Sequence, residues 1–208
     1  LGISSSLGYM TGASTTTLQG ATTMGGTNGF SLDAKRVLRN EGNLVLAGSI
    51  QLNRTDAPGA GRIVNAASGT IDIQTFNLAI VSANQGPLDT GFDARVDNAG
   101  TLKKTTTGNY TIAVPVFNSG VIAVEKGTLT FNAGLAGHTG RLVVAAGTTF
   151  SNTGTLNNHG VVQGAGTVSA PTFVNHGMVS PGQSPGALTF AGDFVQAADG
   201  MLDIERVD

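Results

Sequence analysis

The chain has 208 residues, of which 40% are hydrophobic but only 5% aromatic, with no Trp and no Cys. Its 11 Lys and Arg against 13 Asp and Glu give a formal charge of −2, so there is no basic field to gather nucleic acid or anionic lipid. Without Cys there can be no disulfide, thiolate metal site or thiol nucleophile.

Residues 1–30 are rich in Thr, Ser and Gly and read as a lead-in or as degenerate first coils. The opening "LGISSSLGYMTGASTTTLQG" has neither the basic start nor the apolar run of a signal peptide. A first residue other than Met suggests a removed signal or an excerpt of a longer chain. No apolar run reaches the roughly 20 residues of a membrane helix. "SLDAKRVLRNEG", Ser31 to Gly42, is the one stretch whose pattern allows a helical turn or two. Beyond it the apolar residues alternate, as in Leu44 and Leu46, Ile71 and Ile73, Ile122 and Val124, Leu129 and Phe131, and Leu142 and Val144. Period two puts them on one face of a strand, with polar residues on the other.

Two short phrases recur. Gly, usually Thr, then an aliphatic appears at Gly69, Gly100, Gly127, Gly147, Gly166, Gly186 and Gly200, with steps of 20, 19 and 20 residues from Gly127 to Gly186. Asn-x-Gly-x-aliphatic begins at Asn40, Asn98, Asn118, Asn152, Asn158 and Asn175. Asn and Gly tolerate positive φ, so the second phrase reads as a corner, with Asn98, Gly100, Asn118, Gly120, Asn175 and Gly177 as corner residues. Pro181-Gly182 and Pro185-Gly186 read as two further corners, with a positive φ at Gly186. Strands and corners recurring at about 20 residues predict an all-β fold, a single-stranded parallel β-helix or β-solenoid with stacked coils. Residues 31–208 form this solenoid, irregular to about residue 126 and regular from residue 127. "LNRTDAPGAGR" (Leu52 to Arg62) and "SANQGPLDTGFDAR" (Ser82 to Arg95) are its loop insertions.

The densest ionisable cluster is Asp89, Asp93, Arg95 and Asp97, all at odd positions and so on one face of an extended strand. Three carboxylates and an Arg on a β-helix flank suit Ca²⁺ and a sugar acid, the chemistry of a polysaccharide lyase or hydrolase; the plainer alternative is a solvated strand face. His159 and His176 occupy equivalent corners 17 residues apart, which suggests half of a metal site or simply two polar corner residues, as for His138. Ser184 in Gly182-Gln183-Ser184-Pro185-Gly186 has the G-x-S-x-G spacing, but no strand-to-helix turn follows it as in a nucleophile elbow, so it reads as a turn serine. The glycine clusters lack the Lys-Ser/Thr of a phosphate loop, and the sequons at Asn53 and Asn109 are the chance yield of an Asn- and Thr-rich chain.

The stretch Val179 to Phe194, "VSPGQSPGALTFAGDF", followed by Gln196 and by Gly200-Met201-Leu202-Asp203-Ile204-Glu205, resembles the closing repeats of bacterial autotransporter passenger domains, closely over Pro181 to Glu205 and more loosely from about Arg39. The resemblance implies a right-handed β-helix that is extracellular, on a bacterial cell surface, acting as an adhesin, stalk, filament or surface-layer subunit. The expected role is a non-enzymatic structural or adhesive segment of a larger secreted protein. Polar faces of Thr, Asn and Ser would meet glycans or copies of the same chain. No catalytic residue and no cofactor is assigned, with Ca²⁺ the one ion considered, and no segment of this chain is expected to span a membrane.

Overall fold

Short runs of alternating apolar residues make strands too brief to be stable alone, and they become stable by stacking. The structure is a computed structural model that describes residues 2–4, 8–25, 29–54, 59–75, 77–82, 94–182 and 186–204. Its strands pair in parallel, rung on rung, in three sheets. Thr101–Lys104 lies in the first sheet, Asn109–Ile112 in the second and Val116–Asn118 in the third, and the chain then re-enters the first sheet as Val121–Val124. Ten strands stack in the first sheet. The chain is thus a parallel β-solenoid, and none of the described residues is helical.

Register carries the core. Leu44, Ile71, Leu102, Ile122, Leu142, Val162 and Val179 form one inward column of the first sheet. Each is at most 1% exposed. Burying a side chain of this size contributes roughly 1.5–3 kcal/mol, so the columns are the main source of stability. From Thr101 through Val121 and Arg141 to Val161 the step between rungs is constant, which keeps every inward residue on an inward residue.

The Gly-Thr-aliphatic phrase marks two different corners. After Gly127, Gly147, Gly166 and Gly186 the chain enters the second sheet, where Leu129, Phe150, Val168 and Phe190 form one column. After Gly69, Gly100 and Gly200 it enters the first. Only some of these glycines answer to backbone sign: Gly127 and Gly147 have φ of 66° and 71°.

The stretch Ser31 to Gly42 is not helical. It contains the ends of strand Phe30–Leu32 and all of strand Val37–Asn40, joined by a turn in which Ala34 and Lys35 adopt φ of 52° and 63°. The columns override the local pattern, since Leu32 stacks on Leu52 and Leu38 on Ile63. Coils that are long in sequence carry their surplus between the second and third sheets. One strand ends at Leu52 and the next begins at Arg62; another ends at Ser82 and the next begins at Arg95. The short step from Asn158 to Asn175 arises where second- and third-sheet segments fuse into the single strand Thr167–Asn175.

The corner asparagines end strands and face inward, those to Asn118 in the third sheet and Asn158 and Asn175 in strands that join the second. Asn40, Asn65, Asn98, Asn118, Asn158 and Asn175 are all buried, so they are no part of an outward polar row. None has a positive φ. Asn40 donates to Asn65 at 2.8 Å, Asn65 to Asn98 at 2.7 Å, and Asn98 to Asn118 at 2.6 Å. Farther along, Asn158 donates to Asn175 at 2.7 Å and Asn175 to Gln196 at 3.1 Å. The second amide hydrogen crosses the corner to a main-chain carbonyl, as from Asn98 to Val121 at 3.0 Å and from Asn175 to Met201 at 2.9 Å. Buried amides are tolerable only when satisfied in this way. The glycine two residues later is needed for close approach rather than for its φ: a Cβ on Gly120, Gly140 or Gly160 would run into the carbonyl oxygen of the glycine one rung before.

Candidate functional site

Just past each ladder residue one residue lies at the corner beside the surface, exposed or half-buried except at Ala66, which is buried, and the coils align these into a row. The row reads Glu41, Ala66, Ala99, Ser119, Thr139, His159, His176 and Ala197, tied by main-chain bonds to the preceding rung. Its small members form the floor of a groove running along the solenoid. A cavity of about 430 Å³ opens there, with Ala66, Ala99, Ser119 and Thr139 on one side and Val64, Asp97, Phe117 and Gly137 on the other. Phe117 is 41% exposed, although it sits in a strand. A β-bulge keeps the space beside it open: Val116 pairs with Leu135 but Phe117 with Gly137, leaving Ala136 as the extra residue.

The outer face of the third sheet beside this groove is charged. Arg62 and Arg95 are register partners on adjacent rungs. Both guanidiniums reach Asp97, Arg95 at 3.3 Å. Arg95 also lies over the Phe117 ring, 5.3 Å from its centroid. Arg39 pairs with Glu41 at 2.7 Å. A second recess, about 320 Å³, is lined by Lys35, Val37, Ala60, Arg62 and Arg95. In the cluster read from sequence, Arg95 and Asp97 are therefore ion-paired to each other, while Asp89 and Asp93 lie outside the described residues. The partner that sequence reading missed is Arg62, which is distant in sequence and adjacent only once the register is known.

The histidines fall on the same corner. His159 and His176 stack face to face, with ring centroids 4.8 Å apart, and His176 Nδ1 lies 2.9 Å from Asp199. That partner holds the Asp199 carboxyl below its ordinary range. Parallel rings do not aim two nitrogens at one point, and among the described residues no three His, Asp or Glu side chains could hold a metal. His138 instead takes an asparagine's place in the ladder. It is 1% exposed, and its Nδ1 lies 3.1 Å from Asn118 Nδ2. Because Asn118 donates, Nδ1 accepts and the ring is the neutral Nε2–H tautomer. Burial pushes its pKa down to about 4, the Val161 backbone opposing and His159 adding to the shift.

Of the Pro-Gly corners, Pro181 ends the strand Met178–Pro181 and the Gly182 N–H bonds to the Gly164 carbonyl at 2.7 Å. Gly182 does not have a positive φ. Ser184 and Pro185 lie outside the described residues, and so does the geometry that would set φ at Gly186.

Fold and groove together define a parallel β-solenoid with a walled corner along one edge. Compared with protein-family models, curated proteins and solved structures, the chain has no match.

Proposed function

We propose that this chain is a non-catalytic structural segment of a larger solenoid, extracellular and carried on a bacterial cell surface, whose exposed corner and third face meet a glycan. The observation that carries the reading is the last coil. Phe190, Phe194 and Leu202 continue the inward columns of Val168, Phe173 and Val179. Phe194 is 37% exposed and Leu202 45%, where their column partners one rung earlier, Phe173 and Val179, are each 1% exposed. The phenyl rings of Phe173, Phe190 and Phe194 pack at 4.6–5.3 Å, an aromatic platform with one open side. Core columns that end in exposed apolar side chains suit stacking of one more coil, because solenoid repeats bury their faces only against neighbours. The resemblance of Pro181 to Glu205 to autotransporter passenger repeats supports a surface location.

Electron microscopy of the intact parent protein tests this. A rod of constant width running through and beyond this segment is the expected result. A compact catalytic body seated on residues 186–204 would overturn it.

A further inference from the structure

The groove and the third face gather five of the chain's cationic side chains, with the exposed ring of Phe117 beside them. Lys35, Arg36, Arg39, Arg62 and Arg95 cluster on or beside adjacent rungs of the third sheet, accompanied on that outer face by the carboxylates Glu41 and Asp97, with Asp33 buried beneath the corner. This concentration stands on a chain whose overall charge is −2. Among the described residues, Asp97 is the one carboxylate that pairs with Arg62 and Arg95, and it pairs with both. Among the described residues, Arg36 donates to a main-chain oxygen, that of Thr11, at 2.6 Å and forms no ion pair.

The geometry points to a binding site for a linear polysaccharide that carries carboxylates, that is, a uronate polymer. The inference rests on the glycan-meeting role proposed above and names the ligand class and residues. Three features lead to a polymer of this kind rather than a small anion. The groove follows the stacking direction, with rungs about 4.8 Å apart, a repeat close to the length of one pyranose unit. Phe117 offers an apolar ring face to the C–H side of a sugar, and Arg95 already lies over that ring. The bulge at Ala136 sets Gly137 opposite Phe117, so the room beside the ring is built by the backbone. In this site Arg39, Arg62 and Arg95 face the carboxylates, Phe117 takes a pyranose face, and Asp97 orients the two guanidiniums while accepting from hydroxyls. Asp56, Asp89 and Asp93, which the sequence places in the two insertions preceding Arg62 and Arg95, lie outside the described residues.

Polygalacturonate and uncharged dextran, titrated calorimetrically into the full chain, provide the test. Saturable binding of polygalacturonate that weakens as salt is raised, with at least about tenfold weaker binding of dextran, is the expected result. Gly137→Leu, whose added Cβ would stand 3.2 Å from the Phe117 ring, and Phe117→Ala should each weaken binding about tenfold or more while the strand signal in circular dichroism stays native. No binding of polygalacturonate, equal binding of dextran, or binding indifferent to both variants would overturn the site. Cleavage of the polymer would leave the site standing and refute the non-catalytic reading; absence of binding would leave the rod intact.

Discussion

Asn98 donates its side-chain amide to Asn118 at 2.6 Å across 20 residues of sequence, and both side chains are buried at the same corner of successive coils. The bond fixes rung register, because a slip of one residue would turn both amides outward. Asn98→Leu would leave the Asn65 amide without its acceptor and should lower unfolding free energy by about 1–3 kcal/mol. Asn98→Asp puts a carboxylate in the same buried place and should cost more at neutral pH than at acid pH, where it is protonated. Urea unfolding at two pH values reads both; equal, negligible effects would contradict the ladder's role.

His138 makes stability pH-dependent. Its folded pKa of about 4 lies below the ordinary 6.5, so the unfolded chain binds more protons between these values. The contribution is therefore intact above pH 6.5 and is lost as pH falls toward 4, by about 3 kcal/mol in all. His138→Asn should remove this acid loss and restore an unbroken ladder from Asn118 to Asn158. The check is the pH dependence of thermal unfolding for the two proteins; identical profiles would refute the assignment.

Lys104 is the one Lys whose side chain is wholly buried among the described residues, in the inward position that Val124 and Val144 fill on the next rungs. Its ammonium donates to the carbonyls of Thr106 and, at 2.7 Å, of Lys126, and lies 4.2 Å from the Tyr110 ring centroid. Burial pushes its pKa down and Asp72 partly opposes this. Lys104→Met should destabilise by about 1–3 kcal/mol, since two carbonyls lose a donor. The unfolded chain holds this proton to higher pH than the folded one, so native stability attributable to Lys104 should rise between its lowered pKa and 10.5. Comparing chemical unfolding at neutral and alkaline pH checks both.

Leu129 stands fully buried between Tyr110 and Phe150. Leu129→Asp should cost several kcal/mol, the penalty of an unpaired buried carboxylate. The loss should be felt first in residues 109–152 and more weakly in the coils around Ile63, because solenoid coils contact only their neighbours. Uniform destabilisation from end to end by hydrogen exchange would contradict that.

The solenoid was legible because alternation and corner phrases recur, and both survive without knowledge of partners. The spacing of Gly127 and Gly147 showed that Leu129 and Phe150 belong to successive coils, but a strict step of 20 would have set Leu129 on Thr149, and only the register puts it on Phe150. What was not legible depended on register. Asn is polar and frequent in turns, so sequence alone put it outside; only stacking shows that Asn65 has a partner on either side within the core. Ser31 to Gly42 carried a helical spacing that the columns of Leu32 and Leu38 override. Arg62 could not be linked to Asp97 from spacing, because an insertion separates them, and the groove at Phe117 arises from a bulge that no local pattern announces.

Hydrogen exchange of residues 189–204, measured in this chain alone and in the longer solenoid proposed above, tests the central claim most directly. An open end of a solenoid should exchange at least about a hundredfold faster in the isolated chain, while Thr101–Lys104 and Val121–Val124 exchange alike in both. Equal exchange of residues 189–204 in the two would mean that Phe190, Phe194 and Leu202 await no further coil, and would contradict the account.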